Sequence, residues 1–545
     1  MPAVPAPETA LAKGTSRGEL VGTNASNPPF VAALLRPEAF QHPADDIELH
    51  ETHISWVILA GPFAYKIKKP VNLGFLDFTT GEQRLADCAE EIRLNRRICP
   101  DVYLGIVDIV ERDGSYFVDG PGGPVEPAVW MRRLPERGML LTMLSRQQVG
   151  PPLVRRIAWR LAELHAIAAT GSGVDEYGSL ATVRANWDEN FSQTTRFIGR
   201  TIAPATHAQI LSYVEQFLAD RSDLFERRVA EGRIREGHGD LHAGSICVEG
   251  RSIQLFDCLE FAARFRCSDV AAEVAFLAMD LDHYGRADLA VELVDEYVRR
   301  SGDEDVRGLL SFYKCYRAYV RGKVRSLRLD QHDLTPTDRV AIEVEARAYF
   351  DLAWAYAGGL GGPTIVVTMG LPGSGKTTLA RELARHLGLV HLSSDVVRKS
   401  LAGLRPTDRR VAALGRGIYG QSMTRRTYAA LRRRALRWLR RGYSVVVDAT
   451  FGHAAEREAM RRIAARYGAR LRVLVCQADE ATIRHRLAAR ATDALTASDA
   501  TLDIWPALRA AYSAPDELAE AVALDATARP ERVLEQALEA VSTPS

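Results

Sequence analysis

A chain of 545 residues is too long for one hydrophobic core, and two or three domains are expected. Its 47 % apolar composition is that of an ordinary globular protein, and a formal net charge of +1 excludes any argument for nucleic acid or membrane from total charge. No apolar run approaches the roughly 18 residues of a membrane-spanning helix, so a cytoplasmic protein is expected.

Residues 1–28 are rich in Pro, Ala, Gly and Ser, lack an apolar stretch of signal-peptide length, and read as a flexible tail. The seven cysteines form no C-x-x-C pair, which reads as reduced thiols in apolar settings. Lysine is scarce, with eight against 62 arginines, yet three of the eight are Lys66, Lys68 and Lys69. Such a concentration marks this stretch as chemically important.

From Pro29 the chain reads as structured. Ile54–Ala60 and Phe63–Ile67 are expected strands joined at Gly61-Pro62. Phe63-Ala64-Tyr65-Lys66 stands like the strand of kinases whose lysine reaches the α- and β-phosphates of ATP. Lys68, two residues on, shares that strand face and is the rival for the role. Residues 82–98 carry apolar positions at helical spacing, and from that helix Glu91 can orient the Lys66 ammonium. The segment 128–134 is the expected hinge, where the backbone of Met131 and Arg133 would receive adenine. Val154–Ala169 is an expected amphipathic helix.

Gly237–Val248 reads GHGDLHAGSICV and Ile253–Phe261 reads IQLFDCLEF. Asp240 is placed to accept a proton from a substrate hydroxyl, and Asp257, ending a strand, is placed to hold Mg²⁺. Two carboxylates and an upstream lysine are what phosphoryl transfer requires, because that chemistry is mainly positioning and charge neutralisation.

On HGDLH at 238–242, FDCLEF at 256–261 and SDVAAEVAFLAMDL at 268–281, residues about 30–345 resemble the aminoglycoside phosphotransferase family, which shares the protein-kinase-like fold. The resemblance implies that Asp240 is the base, Asp257 a metal ligand, and Asp269 a buried acid bracing the catalytic loop. It also implies a departure: Ser245 stands where the family has an Asn as second metal ligand. After the motif, Ala271–Leu281 reads as an apolar helix, and Phe312–Leu327 as a helix with an aromatic core stripe and a solvated basic face, the alternative being a surface for a substrate anion.

Thr337–Ala357 is a further expected helix, and Gly358–Pro363 reads as a linker. Ile365–Val367 is a buried strand, followed by Gly370, Leu371, Pro372, Gly373, Ser374, Gly375, Lys376 and Thr377, a Walker A pattern running into Thr378 and a helix. Glycines let backbone N–H groups turn around phosphate oxygens, Lys376 supplies charge, and the Thr377 hydroxyl suits Mg²⁺. A strand at Val390–Leu392 leads to Asp395, a candidate base for an acceptor hydroxyl, and Arg398, one turn on, a candidate for an acceptor phosphate or for the carboxylate itself. Eleven arginines and no acid lie between Arg409 and Val447, mostly on a helix over 422–441, which points to an anionic partner such as nucleic acid. Tyr443–Thr450 is a strand ending in Asp448, a Walker-B-like metal position. Leu471–Cys476 is another strand, and Thr482–Arg490 offers Arg484, Arg486 and Arg490 as lid residues over the transferring phosphoryl group, the lid ending at Ser498-Asp499-Ala500. Residues 518–541 read as helical, with no chemistry.

GLPGSGKTT at 370–378, SSDVVRK at 393–399, VVVDAT at 445–450 and the Arg-rich stretch before SDA resemble the P-loop kinase group of polynucleotide 5′-kinases, zeta-toxin-like kinases and gluconate kinases. That resemblance implies ATP-dependent transfer to a hydroxyl. The expected fold is therefore multidomain, α+β and α/β: a kinase-like bilobal domain over 29–357, a linker at 358–363, and a P-loop NTPase parallel-sheet domain over 364–545. Two Mg·ATP modules are expected, with acceptors among small metabolites, antibiotics, proteins or nucleic acid. The alternatives are a nucleotide-binding regulator with one inactive module, the N-terminal one first, or a P-loop ATPase.

Overall fold

The computed structural model describes residues 27–74, 76–331, 334–406, 408, 417–490, 505–510, 512–513 and 521–543. Most of the expected N-terminal tail and Ser498-Asp499-Ala500 lie outside the described residues. The described chain divides into two compact units. One comprises the residues up to Asp280 with Val291–Phe350, and the other comprises Leu281–Ala290 with the residues from Asp351.

The first unit opens with a six-stranded antiparallel sheet in the order β1-β2-β3-β6-β4-β5. Its strands are β1 (Glu48–Glu51), β2 (Ser55–Ala60), β3 (Phe63–Lys68), β4 (Tyr103–Arg112), β5 (Ser115–Val118) and β6 (Gly123–Arg132). Strand β3 alternates strictly: Tyr65 and Ile67 join a core with Phe30, Trp56 and Ile58, while Lys66 and Lys68 face the other way. The helix α1 (Gly81–Asn95) begins at a capping box, in which the Thr80 hydroxyl accepts from the Gln83 N–H and the Gln83 side chain accepts from the Thr80 N–H. The rest of the unit is mainly helical, with α2 (Pro151–Ile167), α3 (Leu180–Thr194), α4 (Val270–His283) and α5 (Val306–Leu327) around two short hairpin-like pairs. In the first, β7 (Ile234–Glu236) pairs with β10 (Cys267–Asp269); in the second, β8 (Ile246–Glu249) pairs with β9 (Ser252–Leu255). A sheet lobe followed by a helical lobe is the protein-kinase-like arrangement.

The second unit is an α/β domain on a five-stranded, all-parallel sheet in the order β12-β13-β11-β14-β15. Its strands are β11 (Thr364–Met369), β12 (Val390–Ser393), β13 (Val445–Asp448), β14 (Arg470–Gln477) and β15 (Ala521–Asp525). Strand β11 is central, and all six of its residues are buried. Ile365, Val367 and Met369 face one core, and Val366 faces another. One expectation changes here. Residues 521–525 form the edge strand β15, where a helix was expected, because Val522 and Leu524 continue the β14 register in parallel. At the Gly-rich stretch the backbone that follows the helix Pro336–Trp354 leaves helical angles at Ala357 and Gly358, the latter at φ +79°.

All seven cysteines are buried and unpaired. No described helix is long and apolar enough to cross a membrane.

Candidate functional site

Two separate constellations emerge, one per unit. In the first unit Lys66 Nζ donates to Glu91 Oε1 and to Asp257 Oδ1, both at 2.9 Å. Strand alternation puts Lys68 beside it, where it donates to Glu91 Oε2 (2.6 Å), pairs with Asp87 (2.9 Å) and binds Glu260. Lys68 is fully buried and consumed by three carboxylates, whereas Lys66 bridges the helix carboxylate to Asp257. Burial opposes charge on both ammoniums, but the surrounding carboxylates outweigh it and hold both lysines well above their ordinary range. Burial also opposes ionisation of Glu260, yet Lys66 and Lys68 hold it down to about 2. Sequence reasoning gave Glu260 no role, although it stands within the FDCLEF motif.

Asp257 has φ +66°, a left-handed conformation that costs a non-glycine residue on the order of 1 kcal/mol or more. Its N–H donates to the Tyr103 hydroxyl (3.0 Å), and the neighbouring Cys258 N–H donates to Asn95 Oδ1 (2.9 Å). The strained residue is thus held from both α1 and β4. Asp240 is buried, and its Oδ2 has no hydrogen-bond partner among the described residues. Burial pushes its carboxyl above the ordinary carboxylate range, against the pull of Arg321 and Arg317. His242 Nδ1 accepts from the Gly244 N–H (2.9 Å), so its proton sits on Nε2, 3.8 Å from Asp240 Oδ2. Burial holds His242 down to about 3, so it stays neutral.

The loop is braced differently from expectation. Asp269 grips the Arg228 guanidinium at 2.8 and 2.6 Å and receives the Ala271 N–H, so it ties β10 to the helical lobe. The carboxylates that hold the Asp240 loop are on α4. Glu273 accepts the Gly239 N–H (2.5 Å) and faces His165 Nε2 (2.8 Å), and Asp280 accepts the Ala243 N–H (2.8 Å). Both stand in SDVAAEVAFLAMDL, seven residues apart and therefore on one helix face. Gly239 has φ +85°, and a Cβ at Gly237 would run into the Glu273 carboxylate, so this bracing needs both glycines.

Ser245 is turned back into the loop. Its hydroxyl accepts from the His242 N–H (3.1 Å) and bonds the His242 carbonyl (3.0 Å), so the side chain shapes the turn. At the expected hinge the Arg133 N–H donates to the Pro62 carbonyl (2.8 Å), and Met131 stands opposite Ala64 on β3 and Tyr103 on β4. The basic face of α5 is not solvated as expected. Arg317 and Lys323 are buried, and with Tyr316 and Arg321 they line a small cavity of about 50 Å³ whose wall also includes Asp240.

In the second unit the loop after β11 carries Gly370, Gly373 and Gly375 at φ +144°, +87° and +94°, so backbone N–H groups turn inward. A Cβ on Gly370 would lie 2.6 Å from the Cys476 carbonyl oxygen, which rules out larger residues. The helix α6 (Lys376–Leu387) starts at this loop. Leu371 and Pro372 complete the turn; Ser374 Oγ is buried without a partner among the described residues, and Thr378 is exposed. Asp448 ends β13 opposite Thr368. Burial opposes its charge, but His391 (3.6 Å), Lys376 and the Thr377 hydroxyl outweigh this and keep the carboxyl below its usual range. Asp448 Oδ1 is a second buried oxygen with no partner among the described residues, as a metal ligand requires.

Asp395 stands in the first turn of α7 (Ser394–Leu401). Arg398, one turn on, donates Nη1 to the Ile418 carbonyl (3.0 Å) and the Thr424 hydroxyl (3.1 Å) and stacks over Tyr419, which ties it to the start of α8 (Gln421–Leu439). The expected lid arginines separate. Arg486, on α10 (Glu480–Arg490), donates Nη2 to the Ala526 carbonyl (2.7 Å), and its buried Nη1 lies within 3.4 Å of where a Gly375 Cβ would sit. Arg484 is exposed and paired with Glu480 (2.9 Å). The Arg490 side chain lies outside the described part of the chain. Between α8 and α9 (Ala454–Arg466) runs a groove lined by Arg432, Arg433, Arg440, Arg462 and Arg466, of which Arg432 is paired with Glu456.

Residues 365–515 match a protein-family model described as an AAA domain. The chain is 34 % identical over 473 residues to the Uncharacterized protein Rv2004c of Mycobacterium tuberculosis, covering 86 % of this chain and 91 % of that one. Identity and coverage are the same for the Uncharacterized protein Mb2027c of Mycobacterium bovis. Among solved structures, a gluconokinase from Sinorhizobium meliloti 1021 is similar at 18 % identity and a TM-score of 0.25, covering 33 % of this chain and 92 % of that one. A choline/ethanolamine kinase family protein from Mesorhizobium loti is similar at 14 % identity and a TM-score of 0.36, covering 58 % of this chain and 94 % of that one.

Proposed function

This chain belongs to the family of Rv2004c and Mb2027c, and we propose that it is an ATP-dependent phosphotransferase with two Mg·ATP modules, over 29–357 and 364–545. The observation that carries this reading is the Lys66–Glu91–Asp257 bridge beside the unpartnered Oδ2 of Asp240.

In the N-terminal module Lys66, held by Glu91, positions phosphate oxygens, Asp257 would hold Mg²⁺, and Asp240 takes the acceptor's hydroxyl proton. Ser245 keeps the loop's shape through its two bonds to His242 and would be at most a weak second ligand. Bound Mg²⁺ supplies charge neutralisation at the transferring phosphoryl group. In the C-terminal module the Gly370–Thr377 backbone cradles the phosphates and Lys376 meets their charge. Thr377 and Asp448 are the metal residues, and Arg486 covers the phosphoryl group. Asp395 is the acceptor's base, with Arg398 fixing the helix that carries it. The α8/α9 arginine groove supports an anionic acceptor there, a polynucleotide 5′-hydroxyl or a small charged metabolite.

The Ser245 geometry favours a second reading for the N-terminal module alone, in which it binds nucleotide and regulates with little transfer. Following the γ-phosphate of labelled ATP into pooled aminoglycosides, sugars, hydroxy acids and 5′-hydroxyl oligonucleotides separates these readings. Asp240→Asn is expected to remove one set of products and Lys376→Ala another. Unchanged products in Asp240→Asn leave the regulatory reading for that half, and unchanged products in both variants refute the phosphotransferase.

A further inference from the structure

The cavity that Asp240 lines is walled by α3 and α5, and two of its cations, Lys323 and Arg317, have no anionic partner among the described residues. Five charged residues line it: Asp240 and Glu189 against Arg317, Arg321 and Lys323. Glu189 is already paired, at 3.0 Å, with Arg264, which does not line the cavity. Lys323 is buried, and among the described residues its Nζ donates to neutral oxygens alone, Asn190 Oδ1 (2.6 Å) and Gln193 Oε1 (2.8 Å). Arg317 is buried over the Phe276 ring, gives Nη1 to the Gly239 carbonyl (3.2 Å), and keeps a buried Nε with no hydrogen-bond partner among the described residues. Burial holds Lys323 down to about 8, the expected effect on an ammonium with no carboxylate bonded to it. Desolvated cations without anionic partners are costly, and a bound anion relieves that cost.

We propose that the acceptor of the N-terminal site is a small anionic alcohol, a hydroxy acid or a hydroxylated phosphate ester, whose anionic group lies at Lys323 and Arg317 and whose hydroxyl lies at Asp240. This rests on the reading of Asp240 as base. The acceptor oxygen forms the bond to the γ-phosphorus of ATP, its proton passes to Asp240 Oδ2, and the bond from that phosphorus to the β,γ-bridging oxygen breaks. ADP leaves with the electron pair. Tyr316 and Phe276 give the site apolar walls that fit a compact carbon skeleton. A polycationic amino sugar would add charge to a cavity already in cationic excess.

The test uses the full chain carrying Lys376→Ala, so that the P-loop site is silent, with glycerate, glycerol 3-phosphate, kanamycin and choline as acceptors for labelled ATP. Binding of the same four compounds is measured by calorimetry. The two anions are expected to bind and to be phosphorylated in preference to the two cations, and the glycerate and glycerol 3-phosphate arms separate carboxylate from phosphate recognition. Adding Lys323→Gln is expected to raise KM or Kd for the anions about 10-fold or more with kcat little changed, and Lys323→Arg to restore most of it. Preference for kanamycin or choline, no binding of either anion, or an unchanged anion affinity in Lys323→Gln overturns the proposal. If anions bind as expected but Asp240→Asn leaves transfer intact, the catalytic reading fails while the anion site stands.

Discussion

The two candidate sites are built to meet negative charge by opposite means. In the Lys66–Asp257 cluster of the N-terminal unit the cations are already matched: Lys66 and Lys68 lie among Asp87, Glu91, Asp257 and Glu260, and α4 carboxylates pin the neighbouring loop. In the C-terminal unit the groups stand ready but unmatched, with buried Ser374 Oγ, Asp448 Oδ1 and Arg486 Nη1 lacking partners among the described residues. The first site is preorganised by the protein's own charges. The second is completed by its ligand.

The largest test of this contrast is Lys376→Ala. Because nothing else in that loop replaces its charge, P-loop-dependent transfer is expected to fall about 10³-fold with little change in folding, read by initial rates and by circular dichroism. At the preorganised site the matching experiment should damage the fold instead. Glu273→Ala leaves His165 and the Gly239 N–H without their carboxylate and is expected to cost about 3 kcal/mol in denaturant unfolding. A stable Glu273→Ala protein would break the contrast.

Arg486→Ala and Arg484→Ala sharpen it further. Arg486 lies against the P-loop and Arg484 outside it, so losses of about 10²-fold and less than about 2-fold are expected in the same transfer assay.

The smallest effect is pH-dependent. Burial pushes the Asp87 carboxyl up to about 7, whereas in the unfolded chain it ionises near 3.9. Between those values the folded state holds the extra proton, so this group's contribution to stability is full below about pH 4 and is lost as pH rises toward about 7. Asp87→Asn removes that slope and is expected to gain about 1–2 kcal/mol on the wild type between pH 4.5 and 7.5 in denaturant unfolding.

The same contrast explains what was legible in the sequence. The P-loop is contiguous, so strand, glycines, Lys376 and helix could be read from one stretch, and the parallel sheet followed from its apolar strands. Residues 521–525 were misread because an edge strand of five residues next to a helix carries little period of its own. The N-terminal site joins residues as far apart as Lys66 and Asp257, and local motifs marked its candidate groups without their supports. Glu273 and Asp280 were hidden because an acid on an apolar helix looks like any other until the loop it holds is in place. The α5 basic residues were read as solvated because periodicity shows that charges share a face, not that α3 covers that face.

The central claim is that one chain holds two nucleotide sites of these different kinds. Titrating the full chain with a non-hydrolysable ATP analogue and Mg²⁺ by calorimetry tests it most directly. Two sites per chain are expected in the wild type and one in Lys376→Ala. A single site in the wild type, or none remaining in Lys376→Ala, would contradict it.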